Sequence, residues 1–154
     1  MSSANNEANN SIKYTKIATL ICIAIVVVAD VFGVVITNYI TRVWADRSDM
    51  FAMITLGTVY YLGTVGGYVV LISLYKLLNN MSKDIVFDKK NTTLMKIIAI
   101  TCALLGIDCI AGTVAWFGTI YCAVVCFFMM LIILCVRAVF EKAIDMKDEL
   151  DLTI

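Results

Sequence analysis

KLLNNMSKDIVFDKKNTTLMK, residues 76–96, lies near the centre of the chain and carries five of its twelve basic residues. Long apolar runs flank it, two before and two after. The pattern predicts an all-α, integral membrane four-helix bundle, in which a basic loop over residues 79–92 joins two transmembrane hairpins. Composition points the same way. Of 154 residues, 62% are apolar and 16% charged, and the mean hydropathy is +0.93. A soluble domain of that size has too little interior to hide so much apolar surface, so lipid is the expected solvent.

Upstream of the loop, residues 50–78 form the second run, rich in Gly and Tyr. A charged turn with Arg42, Asp46, Arg47 and Asp49 around Trp44 separates it from the first run, residues 17–40. At ~1.5 Å per residue, the first run reaches across a hydrocarbon core of ~30 Å. It is longer than the apolar region of a signal peptide, contains Asp30 and lacks a small-x-small cleavage site, so a retained helix is expected. Residues 1–12, rich in Asn, Ser and Ala, predict a disordered tail. The transmembrane domain would then cover residues 13–140.

Downstream, residues 93–115 and 120–140 are the expected third and fourth helices. Asn91, Thr92 or Thr93 would cap the third. A tight turn, Trp116 to Thr119, joins the two and supplies aromatics suited to a membrane interface. Residues 141–154, with Glu141, Asp145, Asp148 and Glu149, read as an acidic helical tail in water. No proline is present to force a kink.

Counting Lys and Arg sets the expected orientation. One side collects Lys13, Lys16, Lys76, Lys83, Lys89, Lys90, Lys96, Arg137, Lys142 and Lys147, whereas the other collects Arg42 and Arg47. The positive-inside rule then places both termini and the central loop in the cytoplasm.

Asp30 and Asp108 are carboxylates within apolar runs that cross in the same direction. Each would sit ~18–21 Å above its basic anchor, Lys16 or Lys96, and so at similar depth. Placing such a residue there costs at least ~2.5–3.5 kcal/mol, so both are expected to face the interior or a wet cavity. One reading is a proton or cation site. The other is a carboxylate hydrogen-bonded to Thr, Tyr or backbone that fixes helix register. Gly63 and Gly67 form a GxxxG pair, expected to pack closely within the chain, with a homo-oligomer contact as the alternative. Ile85, Val86 and Phe87, flanked by Lys83, Lys89 and Lys90, would either dock a partner or lie in the bilayer interface.

The chain has no histidine, which removes the commonest general base and metal ligand. Six cysteines, Cys22, Cys102, Cys109, Cys122, Cys126 and Cys135, fall in apolar runs without a CxxC pair. They read as small apolar filler, with a thiolate site at Cys122, Cys126 and Cys109 as the minor alternative. No phosphate loop, HExxH or nucleophile motif is present. The expectation is therefore no catalytic residue, no metal, no cofactor, no enzyme activity and no direct nucleic-acid binding.

The loop NNMSKDIVFDKKNTTLMKI, with its Phe87 and Asn91, and the closing segment MKDELDLTI resemble a bacterial family described as domain of unknown function 2975. The resemblance covers the whole chain in layout. It implies a small inner-membrane protein with four membrane helices. Members are commonly encoded beside a helix-turn-helix regulator of the Cro/C1 type, which implies a membrane protein that holds or signals to a DNA-binding partner. The leading expectation is thus a multi-pass protein that acts by interaction, sensing an envelope signal. The alternatives are a proton- or cation-coupled transporter or efflux subunit using Asp30 and Asp108, and an immunity protein against a membrane-active peptide.

Overall fold

The computed structural model describes residues 2–46, 49–83, 85 and 88–151, with the backbone alone for residues 2–9, 148 and 151. All regular structure among them is helical: α1 (Ser2–Val31), α2 (Gly33–Tyr39), a π-helical turn (Ile40–Trp44), α3 (Met50–Met81), α4 (Lys89–Gly112) and α5 (Thr119–Asp151). Among the described residues, four stretches are long and apolar enough to cross a membrane: Asn10–Val31, Met50–Met81, Lys89–Gly112 and Thr119–Lys147.

The first apolar run differs from expectation at both ends. Helix begins at Ser2, where a disordered tail was expected, because neither Gly nor Pro interrupts residues 2–32. It then breaks at Phe32, whose backbone sits at φ −92°, ψ 4°. Gly33 follows, pressed on α3: a Cβ there would lie 2.8 Å from Tyr60 Cε1 and 2.9 Å from the Tyr61 hydroxyl. Thr37 and Thr41 donate their hydroxyls back to the carbonyls of Gly33 and Thr37, at 2.7 and 2.8 Å. Such back-bonding bends helices, and here it leads into the π-helical turn.

The other starts follow their caps. Asp49 accepts from the Ala52 amide and opens α3. Asp88 accepts from the Lys90 amide, so α4 starts four residues before the expected 93. Thr92 and Thr93 consequently lie inside the helix and donate to the Lys89 carbonyl. Asp46 adopts φ 49°, a left-handed conformation that Asp tolerates, in the turn before α3. In α5 nothing marks the expected boundary at 140, and an Arg137–Glu141 ion pair spans it.

Successive long helices run antiparallel. Trp44 and Trp116 meet edge to face with ring centres 6.3 Å apart, which puts the α2–α3 and α4–α5 turns at one end. Lys16 bonds the Asn79 and Ser82 side chains at the other end, near the termini and the central loop. The bundle is open. Among the described residues α1 and α2 pack on α3, α3 on α4 and α4 on α5, with no backbone approach within 8 Å between α1 and α4, α1 and α5, or α3 and α5.

Small residues make the seams. Ala52, Ala99, Ala115 and Ala123 are the most deeply buried apolar side chains. Gly66 receives Leu105 at 2.5 Å from its missing Cβ, and Gly106 receives Phe127 at 2.9 Å. Close backbone approach through small residues is how apolar helices associate where lipid removes the hydrophobic incentive. Gly63 and Gly67 are not part of this. A Cβ at either would meet nothing within 4 Å, so the expected close packing at that pair falls instead to Gly66.

Candidate functional site

Asp30 lies on the last turn of α1, two residues before the break at Phe32. The Tyr68 hydroxyl of α3 donates to its Oδ2 at 2.8 Å. About two turns earlier on α3, the Tyr60 hydroxyl donates to the carbonyl of the neighbouring Ala29, also at 2.8 Å. Tyr60 and Tyr61 stack edge to face at 5.4 Å beside Gly33. The carboxylate is thus held at the α1–α3 seam by a phenol, while its Oδ1 is buried without a hydrogen-bond partner among the described residues. Tyr68 is one of the partner types the sequence suggested for Asp30, and the bond occupies one of its two oxygens.

Asp108 is half-buried on α4, and its Oδ2 is buried without a hydrogen-bond partner among the described residues. Register places it beside the same stretch of α3 that Asp30 uses. Leu105 meets Gly66 and Gly112 meets Val59, so Asp108 is level with the segment between Val59 and Gly66. Depth is therefore shared, but position is not. Tyr68 and Gly66 point about 200° apart around α3, the one to α1 and the other to α4. Since α1 and α4 do not approach each other, the question the sequence left open, whether Asp30 and Asp108 touch, is answered by two separate positions.

Two cavities lie between the helices. One, of about 190 Å³, is lined by Thr37, Leu56, Tyr60, Cys109, Trp116 and Cys122 among others. The second, of about 260 Å³, is lined entirely by apolar residues of α3, α4 and α5, including Leu74, Met95 and Ile133. Neither carboxylate lines either cavity. Cys109 and Cys126 face each other across the α4–α5 seam with Cys122 nearby. All six cysteines are free thiols, and no group of three or more ligating side chains among the described residues could hold a metal ion.

At the end bearing the termini, Asn91 ties three segments together. It is fully buried, accepts from the Asn80 side-chain amide at 2.8 Å and donates to the Ile85 carbonyl at 2.7 Å. The Ile85 amide donates in turn to the Asn80 carbonyl at 3.1 Å. The Ile85 side chain is exposed, whereas Val86 and Phe87 lie outside the described residues. Lys16, besides its bonds to Asn79 and Ser82, sits over the Tyr75 ring at 5.7 Å. Sequence reasoning named neither Tyr68 nor Lys16 as a partner and took Asn91 for a cap. The available signal was spacing: Tyr61, Tyr68 and Tyr75 recur every seven residues and so share the face that meets α1.

No curated protein and no solved structure matches the chain. A family model does, over residues 2–154, under the description "Protein of unknown function (DUF2975)". With the match running through every helix described above, the chain belongs to that family.

Proposed function

We propose that the protein is a multi-pass membrane protein of the bacterial inner membrane, with both termini and the central loop in the cytoplasm, that acts by binding a soluble partner there. The observation that carries this reading is the length of α5. Its 33 residues extend about 50 Å, about 20 Å more than a hydrocarbon core of ~30 Å. With its Tyr121 end in the membrane interface, the helix leaves the bilayer near Arg137 and projects the acidic stretch through Glu141, Asp145 and Glu149 into water. That projection stands at the same end as the loop pinned by Asn91 and its exposed Ile85. Projection and loop together form the output face. The partner that suits the family resemblance is a helix-turn-helix regulator of the Cro/C1 type, whose basic surface would meet the acidic helix.

Transport through Asp30 and Asp108 has less support. The carboxylates lie on opposite sides of α3, and neither of the two cavities described above reaches them. Asp30, with its one unpartnered oxygen beside a helix break, suits the sensing element of the same protein. A bacterial two-hybrid assay between the full chain and the Cro/C1-type regulator tests the reading. The signal is expected to disappear on the combined change Asp145→Lys and Glu149→Lys, and to survive Asp30→Asn in the absence of stimulus. No signal from the unaltered chain, combined with proton flux that Asp30→Asn abolishes, would reverse the choice in favour of transport.

A further inference from the structure

We propose that the cleft between the first turns of α4 and the projecting part of α5 binds a phosphate group, carried by an anionic lipid headgroup or free in solution, through Lys89, Lys96 and Arg137. The inference rests on the membrane orientation proposed above. The cleft has a volume of about 490 Å³, within the ~300–1,000 Å³ typical of small-ligand sites. Lys89 and Lys96 are seven residues apart, two turns along one face of α4, and Arg137 faces them from α5.

Among the described residues, three basic and two acidic side chains line the cleft, a formal net charge of +1. One of the acidic pair, Glu141, accepts from the Arg137 Nη2 at 2.6 Å and so holds the guanidinium in place. That bond uses one edge of a group with five N–H donors. Arg137 Nε is buried away from the cleft and has no acceptor among the described residues, so the guanidinium meets a ligand in the cleft through its Nη groups. A phosphate oxygen is the acceptor whose charge and geometry suit a guanidinium. The helix terminus itself is already satisfied: Asp88 caps the Lys90 amide, leaving side chains as the donors.

The surroundings favour a lipid as the source. Ile97, Ile100, Val136 and Val139 are exposed apolar neighbours of Lys96 and Arg137, so the cleft opens where hydrocarbon gives way to water. In the proposed orientation that boundary is the cytoplasmic leaflet, where anionic lipids attract basic pockets between helices.

The test uses the purified full chain in detergent micelles, with melting temperature followed during titration by phosphatidylglycerol, phosphatidylcholine or inorganic phosphate. Phosphatidylglycerol is expected to raise the melting temperature more than phosphatidylcholine does. Arg137→Gln or Lys96→Gln should each raise the half-saturating concentration about fivefold, whereas Lys96→Arg and Lys76→Gln, the latter outside the cleft, should not. A matching response to inorganic phosphate, with the same dependence on Lys96, assigns free phosphate as the source. A response to phosphatidylglycerol alone assigns the lipid. Equal responses to both lipids and none to phosphate, or responses that neither Gln variant weakens, overturn the proposal. Should Arg137→Gln fail to fold, the contrast between Lys96→Gln and Lys96→Arg decides. Labelling of Ile85→Cys, in a cysteine-free background, by an impermeant maleimide in intact spheroplasts separates the two failures: a reactive cysteine overturns the orientation beneath the inference, whereas a protected one without lipid preference overturns the inference alone.

Discussion

Asn91 has no exposed surface, yet its side chain is polar at both ends, and both ends are matched. An amide in such a position links the end of α3, the loop and the start of α4 by hydrogen bonds alone. Removing it strands the Ile85 carbonyl and the Asn80 amide, each costing about 1–3 kcal/mol if they stay dry. Asn91→Leu is therefore expected to lower the melting temperature in detergent and to expose the loop to protease, while Thr93→Ala, on the exposed side of the same helix, changes little. Equal protease resistance in the two variants would show that the loop does not depend on Asn91. From sequence Asn91 looked like one of three alternative caps, since Asn is a good cap. Asp88, with a free choice of extended backbone, took that place and pushed Asn91 one turn inward.

At the scale of elements, the glycines separate into two groups that sequence alone leaves together. Gly63, Gly66 and Gly67 all lie on α3 within five residues, and the GxxxG pattern singles out the outer two. Contact singles out the middle one, because only Gly66 faces Leu105. Gly66→Leu forces overpacking at the α3–α4 seam and is expected to destabilise by about 1–3 kcal/mol. Gly63→Ala meets open space and gains helix propensity, so it should be neutral or stabilise by up to about 1 kcal/mol. Thermal denaturation of the two variants checks the order, and a larger loss at Gly63 would place α4 on the other side of α3. The break at Phe32 is a second feature of this scale. It arises from Gly33 against two tyrosines and from two threonine back-bonds, none of which disturbs apolar periodicity, so residues 17–40 read as one helix.

Across the whole molecule, the open row of helices leaves most large apolar side chains of α1 and α5 uncovered, as at Ile25, Val28, Phe128 and Leu131. Lipid covering both flanks accounts for this more simply than an unpaired protein surface. The proposed orientation makes a direct prediction. In a cysteine-free background, Ala45→Cys at the tryptophan end should react with a membrane-impermeant maleimide added to intact spheroplasts. Ile85→Cys should react only after the membrane is opened. The reverse pattern would invert the topology and remove the cytoplasmic output face.

Much of this was determined by sequence alone. Four apolar runs of spanning length, a polar loop between them and the absence of proline specify four long helices, since hydrocarbon requires each backbone to satisfy its own hydrogen bonds. The depth of Asp30 and Asp108 followed from a fixed rise per residue. What the tertiary structure alone decided was azimuth: which face of α3 meets which neighbour. Apolar helices in lipid carry little amphipathic signal, because lipid-facing and protein-facing positions are both hydrophobic. Only contact could show that Tyr68 and Gly66 turn opposite ways and that the two carboxylates, level with each other, lie on either side of α3.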